Sequence, residues 1–297
     1  MAGGGLLFGL APTGSIMGVV LLVVSRVIQG MATGGEFAAY VSYLAEVVPE
    51  RVRGKYSSSA YVTSTLGVTL ATVFLLELGW HLSPAGQDRW GWRVPFIFAS
   101  TVAIIGFYLR VTLIEESKYF EADRGATVPR LTMEVLRSLR GQLRETVRDY
   151  SGTSLRMVGF TVAPTVVYYA ILSYLPLDMQ ARPYYLPPTR TQEISVAAQF
   201  LLIIVLIPVG ILSDRIGRKP LLIAFAAGYM FLIVPLWTIL GNSWWRLLVV
   251  MCCSLLLFSL YAAPGPTAMA ELFPTHVRSS GLDLPYSATV GVLRFSQ

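Results

Sequence analysis

Charged residues are scarce in this 297-residue chain, at 13% against 54% hydrophobic residues. Soluble domains carry about a quarter charged residues, so this composition argues against a water-soluble enzyme, a disordered protein and a free nucleic-acid-binding protein. Histidine occurs only at His81 and His276, and neither H-E-x-x-H nor G-x-S-x-G is present, so an intramembrane enzyme is not expected. The two cysteines, Cys252 and Cys253, are neighbours in an apolar run and would point apart on a helix, so no disulfide framework or metal site is predicted.

Long apolar runs are what the chain has in abundance. Crossing a bilayer takes about 20 mostly apolar helical residues. Seven runs are long enough: Ile16–Ala45, Ser58–Gly79, Val94–Leu113, Met157–Leu177, Ile194–Leu212, Leu221–Leu240 and Leu247–Ala270. Two shorter runs, Ala2–Leu10 and Leu284–Leu293, are each about half a span, and Ala2–Leu10 lacks the positively charged leader of a signal peptide. We therefore predict an all-α polytopic membrane protein.

Lysine and arginine alternate between the segments that connect these runs. Segments 46–57, 110–156, 213–220 and 271–281 hold sixteen of them, whereas segments 80–93, 177–193 and 241–247 hold five. The positive-inside rule then places the basic segments in the cytoplasm. The net charge of +6 thus reflects membrane topology and not nucleic-acid binding. We expect a multi-pass protein of the inner (cytoplasmic) cell membrane, in contact with lipid.

The longest basic segment divides the chain into three parts. We expect residues 1–113 to form the remainder of an N-terminal helical bundle, 114–152 a cytoplasmic central loop, and 153–297 an incomplete C-terminal bundle. Within the loop, apolar residues from Leu131 to Val147 recur at helical spacing beside arginines. This pattern predicts a basic amphipathic helix, either on the membrane surface or as a solvated linker.

One loop pattern, A-E-x-x-P-x-x-V-R, occurs twice, at Ala45–Arg53 and Ala270–Arg278, offset by 225 residues. The charged residues of this repeat, Glu46 and Arg53 in one copy and Glu271 and Arg278 in the other, are candidate functional residues. Both copies end a span on the cytoplasmic side, so the repeat predicts two parallel halves. If each half has six spans, the seven full and two partial spans belong to an expected twelve, and helices are expected to be missing at both ends.

The first full span carries charges at membrane depth. Its polar residues are spaced by three or four and form one helical stripe, consisting of Arg26, Gln29, Thr33, Glu36 and Tyr40. Charges at this depth are costly unless they face a cavity or a partner. Arg26 and Glu36 lie about 15 Å apart along the axis, so each needs another partner, water or a ligand. We predict a proton and substrate path at Arg26, Gln29 and Glu36; structural ion pairs with other spans are the alternative.

Two tyrosines in the fourth full span, Tyr168 and Tyr169, complete this predicted path as weak substrate contacts, although interior packing explains them equally well. Pro164 and Pro176 would allow that span to flex or break. Pro264, Gly265 and Pro266 would break the last full span, and Pro208 could bend the fifth.

The most specific pattern is the loop Gly210–Lys219, whose sequence is G-I-L-S-D-R-I-G-R-K. Gly217 would permit the turn, and Asp214 would pair with a nearby arginine or cap the following helix. The expected conformational gating loop comprises Gly210, Asp214, Arg215, Gly217, Arg218 and Lys219. A plain positive-inside hairpin is the alternative.

This loop resembles the inter-helix motif of the major facilitator superfamily, as its second-half copy. R-x-x-Q-G at Arg26–Gly30 resembles the superfamily's fourth-helix motif, whose arginine is associated with proton transfer. The continuation to Glu36 is similar to the metabolite:proton symporter family, as are Trp90–Phe96, Ile114–Ser117 and Glu271–Tyr286. This resemblance implies symport of a small polar metabolite, an organic acid or a compatible solute such as betaine, by alternating access. Protons would be the coupling ion and no other cofactor is expected.

Two departures from the family pattern matter. The fifth-helix G-P-x-x-G-G pattern of antiporters is absent from Tyr61–Thr69, which favours symport over drug:proton exchange. The acidic-aromatic motif of the family's first helix is absent as well. A non-transporting degenerate membrane fragment is therefore one alternative. A sugar porter of the same superfamily is another, although its seventh-helix glutamine pair is missing before Val167. The sequence specifies neither the substrate, the stoichiometry nor the oligomeric state.

Overall fold

A computed structural model describes residues 16–83, 90–122, 148–181, 184–275 and 277–295, together with Gly86, Gly141, Glu145 and Thr146. The described residues form helices and turns and contain no strand. The helices are α1 (Ile16–Val47), α2 (Arg53–His81), α3 (Arg93–Ala122), α4 (Ser151–Tyr169), α5 (Leu175–Asp178), α6 (Pro188–Ile216), α7 (Arg218–Thr238), α8 (Trp244–Ala262), α9 (Gly265–Glu271) and α10 (Arg278–Phe295). We call α1–α3 the first half and α4–α10 the second half.

Each of the seven predicted apolar runs is helical, so the all-α prediction is confirmed. Helix α3 continues to Ala122, past the predicted boundary at residue 113. The half-span Leu284–Leu293 belongs to α10. The half-span Ala2–Leu10 and most of the predicted amphipathic helix lie outside the described residues.

Within the described residues, five helical stretches are long and apolar enough to cross a membrane: Glu50–His81, Ser151–Asp178, Pro188–Ile216, Arg218–Thr238 and Trp244–Glu271. A sixth apolar helical stretch, Arg93–Leu109, is shorter. Large apolar side chains on α3 and α7 point outward, among them Phe107, Met230 and Phe231 at 69%, 75% and 68% exposure. Such faces suit lipid rather than water.

Helix α6 joins the two halves, because it packs against α2 of the first half and α8 of the second. Its buried residues recur every three or four positions, from Thr191 through Ala198 and Leu202 to Ser213, which places them on one face. Helix α10 packs against α1 of the first half and against α4. The two halves therefore meet along α2 with α6 and along α1 with α10.

The helices respond in three different ways to the prolines that they contain. Pro264 lies in a two-residue turn between α8 and α9, which confirms the predicted break in the last full span. Pro164 lies within α4, and the five residues Ala170–Tyr174 form a π-helical turn before Pro176 in α5. Pro208 lies inside an uninterrupted α6.

Candidate functional site: the contact between the two halves

Helix α2 presents small side chains to α6. Among its buried residues are Gly54, Ser57, Ser58 and Ala60, and small residues allow helix backbones to approach closely. Gly54 and Gly210 lie against each other in this contact. A Cβ atom on Gly54 would lie 2.8 Å from the carbonyl oxygen of Gly210, and one on Gly210 would lie 2.7 Å from that of Gly54. Only glycine fits at these two positions.

Asp214 caps the N-terminus of α2 from the other half of the molecule. Its Oδ1 accepts a hydrogen bond from the backbone N–H of Gly54 at 2.7 Å, and its Oδ2 accepts one from Lys55 at 2.9 Å. The first N–H groups of a helix lack partners within the helix and attract anions. The N-cap residue Val52 makes no side-chain hydrogen bond to α2, so Asp214 supplies a cap that the local sequence lacks. The sequence-based expectation for Asp214 was wrong, because the helix that it caps lies 160 residues away and not directly after it.

Two further contacts join the halves near this cap. The Ser57 Oγ and Thr267 Oγ1 atoms are 2.5 Å apart in a buried hydrogen bond. Glu271 lies 3.8 Å from Arg53 across the two halves, and it also pairs with Arg218. We call these four contacts the clamp: Gly54 with Gly210, Asp214 with Gly54 and Lys55, Ser57 with Thr267, and Glu271 with Arg53.

Each copy of the repeated loop contains a hydrogen bond from its arginine side chain to a backbone carbonyl of the same copy. Arg53 Nε donates to the carbonyl oxygen of Val48 at 3.1 Å, and Arg278 Nε donates to that of Phe273 at 3.4 Å and, at the shorter distance of 2.9 Å, to that of Ala270. Both arginines, and the acceptors Val48 and Phe273, are offset by 225 residues, so these two bonds are equivalent. The arginine of each copy thus folds its own loop. Glu46 is exposed and has no ion pair within the described part of the chain.

The remaining residues of the predicted gating loop lie at its surface or at its turn. Gly217 adopts a φ of 87°, which L side chains rarely adopt, so the turn depends on glycine. Arg215 and Lys219 are exposed, while Arg218 forms the ion pair with Glu271.

The polar stripe of the first full span lies on α1. The side chain of Arg26 lies outside what the structure describes, whereas Gln29 is partly buried and Glu36 is exposed. Tyr40 hydrogen-bonds Ser59 of α2 at 2.6 Å. The assignment of Arg26, Gln29 and Glu36 to a proton and substrate path remains a prediction.

Tyr168 joins an aromatic cluster that sequence reasoning did not find. Its ring centroid lies 5.4 Å from that of Phe258 and 5.6 Å from that of Tyr169. Rings from the first half, Phe37 and Tyr61, meet rings of the second half, including Tyr261 and Tyr286. Their separation along the chain hides this cluster; the only local signal is an aromatic residue on each of several spans.

Metal binding has no candidate within the described part of the chain, where no group of three or more His, Cys, Asp or Glu side chains comes together.

The chain is similar to known transporters over most of its own length. The chain is 29% identical over 275 residues to the alpha-ketoglutarate permease of Escherichia coli K12, with 90% of this chain and 59% of the permease aligned. It is 30% identical over 297 residues to the ectoine/proline transporter ProP of Corynebacterium glutamicum, covering 96% of this chain and 58% of that protein. A proline/betaine transporter of E. coli K12 is 27% identical over 290 residues, covering 95% and 57%.

These names agree with the metabolite:proton symporter resemblance of the sequence motifs, and they describe transporters rather than enzymes. The chain spans less than two thirds of the length of these relatives. The sequence profile of the Major Facilitator Superfamily matches residues 1–285. With its apolar helices, its repeated loops and this match over nearly the whole chain, the protein belongs to the Major Facilitator Superfamily of multi-pass membrane transporters.

Proposed function

We propose that this chain forms the central part of a proton-coupled symporter that carries a small polar metabolite across the inner cell membrane by alternating access. The observation that carries the proposal is the clamp. Its contacts join the halves at the N-terminal end of α2, where Asp214 caps the helix. A contact confined to one side of a two-half membrane protein can open while the opposite side closes.

The positions of the basic segments support a cytoplasmic location for the clamp. Arg53 and Lys55 precede the apolar part of α2, and Arg215 and Arg218 lie in the loop that carries Asp214. By the positive-inside rule this side faces the cytoplasm. The conformation described is then closed to the cytoplasm, and substrate would enter from the opposite side.

Proton coupling is assigned to the charges of α1. Arg26 and Glu36 are ionisable residues within a predicted span, and such residues commonly lie on proton or substrate pathways. Proton and substrate binding are coupled if the charge arrangement in each conformation is stable only in certain protonation states. The substrate class is that named for the relatives, an organic acid or a zwitterionic solute.

Uptake by proteoliposomes tests this proposal. Purified protein is reconstituted and supplied with labelled 2-oxoglutarate, proline, glycine betaine or glucose, with and without an inside-alkaline pH gradient. We expect uptake of a metabolite but not of glucose, faster with the gradient and slowed by a protonophore. Uptake that ignores the gradient contradicts proton coupling, glucose uptake indicates a sugar porter, and no uptake of any solute supports the non-transporting alternative.

A further inference from the structure

Three buried polar residues, one on each of three helices, carry side-chain oxygens that make no hydrogen bond to any described residue. They are Thr65 of α2, Gln199 of α6 and Ser254 of α8, which are 0%, 1% and 0% exposed. The unpartnered atoms are Thr65 Oγ1, Gln199 Oε1 and Ser254 Oγ. We call these three residues the polar triad. A buried polar group without a partner is costly, most of all in a bilayer, where bulk water cannot reach it.

The triad residues lie at the same depth, near the middle of the spans that carry them. Those spans are Glu50–His81, Pro188–Ile216 and Trp244–Glu271. Thr65 is the sixteenth of 32 residues in its span, Gln199 the twelfth of 29 and Ser254 the eleventh of 28. At 1.5 Å per residue, each lies within about 5 Å of the midpoint of its span.

The contact of Gly54 with Gly210 sets Thr65 opposite Gln199. Thr65 follows Gly54 by eleven residues, and Gln199 precedes Gly210 by eleven. Eleven residues are about three helical turns, so each polar residue lies on the same face as its glycine, about 16 Å along the axis. Helices α2 and α6 pack on each other, and both steps lead away from the clamp. Thr65 and Gln199 therefore meet across the two halves.

The contact of Tyr61 with Phe258 brings Ser254 to the same place. The ring of Tyr61 lies edge-on to that of Phe258, with centroids 5.9 Å apart. Thr65 follows Tyr61 by four residues and Ser254 precedes Phe258 by four, so both lie about one turn farther from the clamp. The triad thus forms a polar layer beside this pair of rings.

The hydroxyl of Thr65 differs from those of the other threonines of α2. Thr63, Thr69 and Thr72 each donate a hydrogen bond to a carbonyl oxygen three or four residues earlier in the helix. Such a bond satisfies a hydroxyl within its own helix. Thr65 makes no such bond, so its hydroxyl is available to a partner between the helices.

The oxygens of the triad are uncharged, which decides the kind of ligand. On the three helices that carry the triad, the carboxylate nearest along the axis is Glu193, about 9 Å from Gln199, and it already pairs with Arg190 at 2.9 Å. A metal cation such as Ca²⁺ takes about six to eight oxygen ligands and needs compensating charge. The triad residues are at most 1% exposed, so only a small ligand can reach them. A water molecule meets these conditions.

We propose that the polar triad binds one buried water molecule, which links Thr65 of the first half to Gln199 and Ser254 of the second. The water donates a hydrogen bond to Gln199 Oε1, which can only accept, and exchanges bonds with the two hydroxyls, which can donate or accept. Buried waters make about three bonds of this kind to groups without other partners. The halves are then joined by a polar link in the middle of the bilayer as well as at the clamp, whether or not the chain carries a solute.

Oxidation by X-ray-generated hydroxyl radicals tests for the bound water in the unaltered, purified protein. Radicals formed from a bound water oxidise the side chains beside it, even where bulk solvent does not reach them. Met251 is the reporter, because it is 0% exposed, lies three residues before Ser254, and has its Sδ 3.9 Å from the hydroxyl of Ser195, one turn from Gln199. Met157 of α4, at 1% exposure, is the matched control. We expect Met251 to be oxidised severalfold faster than Met157, and equal rates overturn the proposal.

Substitutions connect the reporter to the triad. Thr65→Val and Gln199→Leu remove partners of the water with little change in side-chain size, and each should slow the oxidation of Met251 severalfold. Thr72→Val is the matched control, because the hydroxyl of Thr72 is bonded to the carbonyl oxygen of Val68 on the same helix. Unchanged oxidation of Met251 in both triad variants, or the same slowing in Thr72→Val, contradicts the assignment. If a variant does not fold, the comparison of Met251 with Met157 in the unaltered protein still decides.

A change of salt separates a water molecule from a sodium ion at this site. The melting temperature of the purified protein is measured in sodium chloride and in choline chloride at equal concentration. We expect the same melting temperature in both salts, because a water site does not depend on the cation. A higher melting temperature in sodium chloride that Gln199→Leu abolishes would identify a cation site and overturn the assignment of water.

Discussion

Gly54→Ala should open the clamp. An alanine Cβ at this position would lie 2.7 Å from Asp214 Oδ1 and 2.8 Å from the carbonyl oxygen of Gly210. Both distances are shorter than real Cβ contacts, and the second atom belongs to the backbone of α6, so it cannot rotate away as a side chain would. Helix α2 has to move away from α6, and the hydrogen bonds that Asp214 accepts lengthen or break.

The size of the effect follows from the cost of overpacking. Inserting a methyl group into a close contact costs about 1–3 kcal/mol. Because the contact exists only while the clamp is closed, this cost acts on the equilibrium between closed and open forms. A cost of about 2 kcal/mol lowers the ratio of closed to open protein by about 30-fold.

Disulfide cross-linking reports the closed form. The hydroxyl oxygens of Ser57 and Thr267 are 2.5 Å apart, so Ser57→Cys with Thr267→Cys should cross-link under mild oxidation when the clamp is closed. The native cysteines, Cys252 and Cys253, are replaced by serine beforehand. We expect Gly54→Ala to slow cross-linking severalfold or more.

Gly67→Ala is the control, since Gly67 lies on the same helix and a Cβ there would meet no atom within 4 Å. Replacement by alanine gains about 1 kcal/mol of helix propensity in the helix interior at Gly67 and less in the first turn at Gly54, but this gain is the same whether the clamp is closed or open and does not affect cross-linking. If Gly54→Ala cross-links as fast as Gly67→Ala, the close contact does not hold the halves together and the reasoning is wrong.

Three further substitutions test single contacts. Asp214→Ala removes a cap worth about 0.5–2 kcal/mol, so the ratio of closed to open clamp should fall by about 2- to 30-fold and cross-linking should slow. Asp214→Asn keeps one acceptor oxygen and should slow cross-linking less, and equal losses would contradict the capping role. Glu271→Gln removes partly exposed ion pairs worth about 0–1 kcal/mol. The melting temperature should drop by about 1–3 °C in low salt and hardly at all in about 1 M NaCl. A drop that does not depend on salt would argue against a contribution from these ion pairs. Gly217→Ala places a side chain at a φ of 87°, which should destabilise the protein by about 1–3 kcal/mol. Its melting temperature should therefore be lower than that of Gly159→Ala, a control in which the added Cβ, as at Gly217, meets no atom within 4 Å. Equal melting temperatures would show that the turn relaxes.

Local features of the fold were predictable because they depend on neighbouring residues. Apolar runs of sufficient length became helices, and Pro264 followed by Gly265 and Pro266 interrupted one of them. The repeat at an offset of 225 residues placed Arg53 and Arg278 at the same position of the repeated loop, and in the structure each donates a hydrogen bond within its own copy. Pro208 shows the limit, since a membrane-spanning helix tolerates a proline where neighbouring helices and local adjustments satisfy the freed backbone groups.

Contacts between the halves were not predictable from one sequence. The type and turn position of Asp214 favour a helix cap, but nothing local shows that its helix begins at Arg53 of the other half. Likewise, Phe37 and Tyr286 are single aromatic residues on separate spans, and only the packing of α1 on α10 brings them within 4.4 Å. Side-chain type can be read along the chain, whereas partners far apart in sequence are set by the packing of whole helices.

Water can replace each polar contact of the clamp when the halves separate. The N–H groups that Asp214 binds belong to the first turn of a helix, Lys55 is exposed, and the side chain of Glu271 is 38% exposed. A hydrogen bond exchanged for one with water changes the free energy by only about 0.5–1.5 kcal/mol. Because water can take the place of its polar contacts in this way, the clamp can open and close reversibly. A solute or a proton with a few kcal/mol of preference for one form is therefore enough to switch it.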